Sequence, residues 1–76
     1  MGRLHPVADK LLLKICEIYN KTGETKIDTM DIAPDEDADA YFYELASAGY
    51  IEYHYDVAPT VKVLDRTILF AQSIKN

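Results

Sequence analysis

The residue types that usually carry catalysis or bind metals are scarce and scattered in this chain of 76 residues. Cys16 is its single cysteine, so no disulfide closes within the chain and no zinc site of the Cys/His kind assembles. It sits in an apolar helical pattern and reads as a small buried hydrophobe, because a reactive thiol wants a neighbouring base or a helix N-terminus. His5 and His54 stand far apart with no partner at ligand spacing. The three glycines are scattered and form no phosphate-cradling loop, and no serine lies in a nucleophile-elbow sequence. The run Asp35-Glu36-Asp37-Ala38-Asp39 lacks the glycine and closing glutamate of a calcium loop, although a loosely held cation could associate with it. The expectation is a chain that is no enzyme and takes no cofactor.

Carboxylates and tyrosines remain. Between Ile27 and Val61 lie nine acids and no Lys or Arg: Asp28, Asp31, Asp35, Glu36, Asp37, Asp39, Glu44, Glu52 and Asp56. The net charge of −5 is thereby concentrated in the middle of the chain. Five of the six tyrosines fall in the same region, at Tyr41, Tyr43, Tyr50, Tyr53 and Tyr55. A surface made of these groups can steer and hold a cationic partner.

The elements that must position them can be read from pattern. Pro6 suits the first turn of a helix, and Ala8, Leu11, Leu12, Ile15, Ile18 and Tyr19 recur at helical spacing after it. Gly23 supplies a left-handed stop, so the first helix is expected over 6–21. Thr25 to Ile27 is a short β-friendly stretch. Asp28 can cap a very short helix over Thr29 to Ile32, which Pro34 ends. Asp35 can cap the third helix, with Glu36 and Asp37 in its first turn and Ala38, Tyr41, Phe42 and Leu45 along its inner stripe. Gly49 closes it. Ile51 to Tyr55 and Val61 to Leu64 read as a hairpin, with 56–60 as its loop. Asp65 can cap a last helix over 66–75 that carries Ile68, Leu69, Ala71 and Ile74, with a third strand at 67–71 as the alternative.

Helix, short strand, short helix, helix, hairpin and terminal helix form the order of an α+β winged helix-turn-helix, here as one domain over 1–76. The segment Glu44-Leu45-Ala46-Ser47-Ala48-Gly49-Tyr50-Ile51, in which an apolar residue leads from the glycine stop into the wing, is its most characteristic local feature. Leu13-Lys14-Ile15, Asp31-Ile32 before a short loop, the stripe Ala38, Phe42, Leu45, then Gly49-Tyr50-Ile51 and His54-Tyr55 resemble the YjcQ-type family of small winged-helix proteins of bacteria and prophages. The resemblance covers about residues 11–55, mostly core and turn positions. The Leu-Thr-x-x-Gly-like segment that follows the wing in that family is absent, and Asp65-Arg66-Thr67-Ile68-Leu69-Phe70 stands in its place. The resemblance implies the fold and a prophage origin more than any activity.

A winged helix ordinarily meets DNA through its third helix, with Lys and Arg neutralising phosphates. At about 100° per residue, the outward face of that helix carries Glu36, Ala40, Tyr43 and Ser47, flanked by Asp37, Asp39 and Glu44. Like charges a few ångströms apart cost about 1 kcal/mol even in water, so this face should repel a phosphate backbone. Acids in a helix's first turn also complement its macrodipole, which accounts for part of the cluster without any ligand. The expected partner is a protein, a basic one by charge complementarity, met through Glu36, Asp37, Asp39, Ala40, Tyr43, Glu44 and Ser47. The alternative is a DNA-binding regulator that docks through Lys10, Lys14 and Lys21 on the first helix and Lys62 and Arg66 by the wing. A homodimer seam through Leu69, Phe70 and Ile74 would fit either reading.

No stretch approaches the ~20 apolar residues of a membrane span, and Pro6 stands where a myristoylation motif wants Ser or Thr. With no signal-peptide pattern and one free thiol, a cytoplasmic setting is expected.

Overall fold

Pro6 starts the first helix for the reason its ring suggests, since the missing N–H would have had no partner there. In the computed structural model, which describes residues 4–33, 38–55 and 57–75, α1 runs Pro6–Thr22. His5 is its N-cap, with ring Nδ1 accepting the Val7 N–H at 3.1 Å. Gly23 ends it in the left-handed region at φ 75°, its N–H returning to the Tyr19 carbonyl. Ala8, Leu11, Leu12, Ile15 and Cys16 form the buried stripe. Burial pushes the Cys16 thiol above its ordinary value, as expected of an inert core cysteine.

The strand β1 (Lys26–Asp28) leads directly into α2 (Thr29–Ile32). Asp28 occupies the N-cap position, but its side chain makes no capping bond. The turn is held across the chain instead, where both the N–H and the hydroxyl of Thr29 donate to the Pro59 carbonyl, at 3.1 and 3.2 Å. The next described helix, α3 (Asp39–Ser47), buries Phe42 and Leu45. The expected cap at Asp35 and first turn at Glu36 and Asp37 lie outside the described residues. After Ser47 the chain makes a Schellman turn: Gly49 has φ 83°, its N–H donates to the Ala46 carbonyl, and the Tyr50 N–H donates to the Leu45 carbonyl.

The hairpin of β2 (Ile51–His54) and β3 (Thr60–Val63) joins β1 in an antiparallel sheet of order β1-β3-β2. Across β2–β3, Ile51 faces Val63, Glu52 faces Lys62, Tyr53 faces Val61 and His54 faces Thr60. Across β1–β3, Lys26 faces Lys62 and Ile27 faces Val61. Strand alternation sends Ile27, Ile51, Val61 and Val63 into the core and leaves Lys26, Glu52, His54 and Lys62 on the open face.

The segment after the hairpin is a helix, α4 (Asp65–Lys75), so the alternative of a strand at 67–71 is excluded. Thr67 and Ala71 are wholly buried and Ile68 partly, whereas Leu69 is 67% and Ile74 44% exposed. Thr67 is admitted because its hydroxyl donates to the Tyr50 carbonyl, which removes the cost of burying it. Ala71 lets α4 lie close against α1, where Asn20 Nδ2 donates to the Ala71 carbonyl at 3.1 Å. Asp65 is the first helical residue rather than the cap. Among the described residues, four helices and a three-stranded antiparallel sheet thus share one α+β core. Among the described residues no helix is long and apolar enough to cross a membrane.

Candidate functional site

Three tyrosines meet where α3 passes β2. Tyr53 lies on the inner side of the sheet, stacked on the buried Phe42 with ring centroids 5.4 Å apart. The Tyr43 and Tyr53 rings meet edge to face, 4.9 Å apart and at 88°. On its other side Tyr55 lies 6.0 Å away, tilted by 57°. Edge-to-face contact sets the positive rim of one ring against the negative face of the other, which favours the Tyr43–Tyr53 arrangement. Both outer rings remain open to solvent, Tyr43 at 52% and Tyr55 at 64% exposure. The result is an aromatic surface that runs from α3 to β2 and the residue that follows it.

The carboxylates on this side are engaged. Tyr53 donates its hydroxyl to Asp39 Oδ1 at 2.8 Å. Burial raises the Tyr53 hydroxyl well above its ordinary value, and the bond to Asp39, the charge of Asp39 and the neighbouring Tyr43 and Tyr55 add to the shift. Glu44 Oε2 accepts the backbone N–H of His5 at 2.7 Å. It thereby does from a distant helix what a capping-box glutamate does from within one, and its charge sits at the positive end of α1. The His5 ring lies 4.9 Å from that of Tyr41. Of the face expected from helical projection, Ala40, Tyr43 and Ser47 are exposed as anticipated, and Asp39 and Glu44 are half-buried. Glu36 and Asp37 lie outside the described residues.

Helical projection sends Tyr43 outward but does not bring it to Tyr53 and Tyr55. Alternation in the strand was the available signal: residues on the Ile51 side of β2 must face α3.

The basic residues divide differently from the expectation. Arg66 donates from Nη1 to the Ala48 carbonyl at 2.6 Å, and its guanidinium lies 4.4 Å above the Tyr50 ring. It satisfies the C-terminal end of α3 and is committed to the fold. Lys14 pairs with Glu17 one turn along α1, at 3.4 Å. Lys10 and Lys21 are exposed, and Lys21 adjoins a shallow groove with Leu13, Glu17, Asn20 and Ile74. Lys62 points from the centre of the sheet's open face, next to Lys26. Within the expected seam, Leu69 and Ile74 are exposed and Phe70 packs partly against the core.

Among the described residues no group of three or more His, Cys, Asp or Glu converges as metal ligands would. No family model, curated protein or solved structure matches this chain.

Proposed function

We propose that this chain is a winged-helix binding module of the YjcQ type that docks another protein through the tyrosine surface between α3 and β2. The observation that carries the reading is the pair of exposed rings, Tyr43 and Tyr55, held in fixed orientation by Tyr53. Tyrosine offers a large contact area at small entropic cost and is enriched where binding energy concentrates. Asp39 and Glu44 border the helix, and the chain carries no Lys or Arg from Ile27 to Val61. Such a surface favours a partner that presents arginine or lysine, whose charge is attracted both to carboxylates and to the faces of tyrosine rings. It disfavours a phosphate backbone, and Arg66, one of the residues a DNA-binding reading would use, is already spent on α3.

The test is a heteronuclear NMR titration of the labelled protein with an arginine-rich peptide and, separately, with a mixed-sequence DNA duplex, at about 50 and 200 mM salt. The peptide should shift the amides of Asp39, Tyr43 and Tyr55, and the double variant Tyr43→Ala/Tyr55→Ala should weaken it by about tenfold or more. A duplex that binds through α3 with steep salt dependence, while the peptide leaves Tyr43 and Tyr55 unmoved, would overturn the reading.

A further inference from the structure

The opposite face of the sheet carries a feature that the tyrosine surface does not use. A concavity of about 540 Å³ opens there, lined by Thr25, Lys26, His54, Ala58, Thr60 and Lys62. All three strands contribute to it. Lys26 and Lys62 stand directly opposite one another across β1–β3, and like charges so placed destabilise a sheet. The neighbouring carboxylates do not relieve them. Glu52 faces Lys62 across β2–β3, but its Oε1 lies 3.2 Å from His54 Nε2 instead. Asp28 is on the same face of β1, opposite Thr60, and does not line the concavity. Among the described residues neither lysine has an ion-pair partner. In a chain of net charge −5, two lysines without an ion-pair partner among the described residues and two threonines lining one hollow form a place for an anion.

We propose that this concavity binds a phosphate monoester, such as the phosphate of a small phosphorylated metabolite or a mononucleotide. Two ammonium groups match a dianion in charge, and the threonine hydroxyls supply further hydrogen-bond donors for its oxygens. The volume is within the range of small-molecule sites and admits more than the phosphate alone. The proposal is independent of the tyrosine surface, since the two lie on opposite faces of the sheet.

Labelled protein titrated with inorganic phosphate, with a mononucleotide and with chloride at matched ionic strength tests it. Phosphate and the mononucleotide should give saturable shifts at Lys26, His54, Thr60 and Lys62, and chloride should not. Lys26→Gln and Lys62→Gln should each weaken the binding by about tenfold. Both positions are exposed, so the variants keep the fold, which circular dichroism verifies. Phosphate should also raise the unfolding midpoint of the wild type more than that of the double variant, which removes the general salt effect from the comparison. Equal shifts in chloride and phosphate, or unchanged binding in the variants, would overturn the proposal. So would a DNA duplex that binds these same residues more tightly than the mononucleotide does.

Discussion

The two faces of the small sheet use charge in opposite ways. On the side that meets α3, the acids are tied into the fold and the aromatic rings are left free: Asp39 holds the Tyr53 hydroxyl, Glu44 caps α1 through His5, and Tyr43 and Tyr55 face solvent. On the open side the bases are left free, with Lys26 and Lys62 abreast and no partner among the described residues. A count of charges along the chain gives an acidic middle and basic ends. The difference between the faces is one of anchoring: Asp39 and Glu44 are held in place by neutral donors and keep the charge that can attract a cation, whereas Lys26 and Lys62 are not tied to any ion-pair partner among the described residues. Glu44 and Arg66 are both charged and outside the core, and each is oriented by a backbone partner, the His5 N–H and the Ala48 carbonyl.

The largest expected effect comes from removing the ring that organises the aromatic side. Tyr53→Ala deletes a half-buried ring that touches Phe42, Tyr43 and Tyr55 and leaves Asp39 without its donor. A loss of about 2–3 kcal/mol of stability is expected in urea unfolding, toward the lower end of aromatic truncations because the ring is only partly buried. A loss within about 0.5 kcal/mol, the usual range for neutral surface changes, would mean that the three rings are not a unit.

Arg66→Ala comes next. The guanidinium bond to Ala48 and the stacking on Tyr50 should together contribute about 1–2 kcal/mol. Lys62→Ala, on the open face, should cost almost nothing. If the two variants prove equally mild, Arg66 is an ordinary surface base and returns to the set available for nucleic acid.

The contrast between Arg66 and Lys62 also marks how far the sequence could be read. Helical spacing and a glycine stop placed α1 to within a residue, and Thr29 to Ile32 and the stop at Gly49 were found where expected. These features are local, set by residues within one or two turns of each other. The partners that decide the site are remote: His5 with Glu44, Arg66 with Ala48, and Thr67 with Tyr50. Helical projection gives the direction in which Glu44 leaves its helix but not what waits there. It also favours apolar residues for the inside, which is why it does not point to Thr67 as a buried residue. A threonine can be buried only when a carbonyl lies within reach, and that carbonyl belongs to the turn after α3.

Tyr53→Phe is a finer probe, since it keeps the ring and removes the bond to Asp39. It should cost about 1 kcal/mol near neutral pH. The pH dependence should change as well. The Tyr53 hydroxyl titrates higher in the folded chain than its ordinary value of 10.0, so the fold favours its neutral form. Below that value both states keep the proton and the stabilisation is complete. As pH rises past it the unfolded chain releases the proton first, and stability falls until the folded hydroxyl titrates too. Wild-type stability should therefore decline more steeply above about pH 10 than that of Tyr53→Phe, in which the remaining tyrosines serve as the control. Parallel curves would show that Tyr53 is solvated like the others.

The smallest effect has the opposite sign. Lys26→Thr removes one member of the like-charge pair from β1 and introduces a residue that strands favour, so stability should rise by a few tenths of a kcal/mol at low salt. The gain should shrink as salt is added, because screening already weakens the repulsion in the wild type. Phosphate separates this effect from the binding proposed above. A ligand held between Lys26 and Lys62 stabilises the wild type and not the variant, so enough phosphate should cancel the advantage of Lys26→Thr and then reverse it, whereas chloride at the same ionic strength should only bring the two together. A variant that stays more stable in phosphate would leave the lysine pair as a small uncompensated repulsion and the concavity without a ligand.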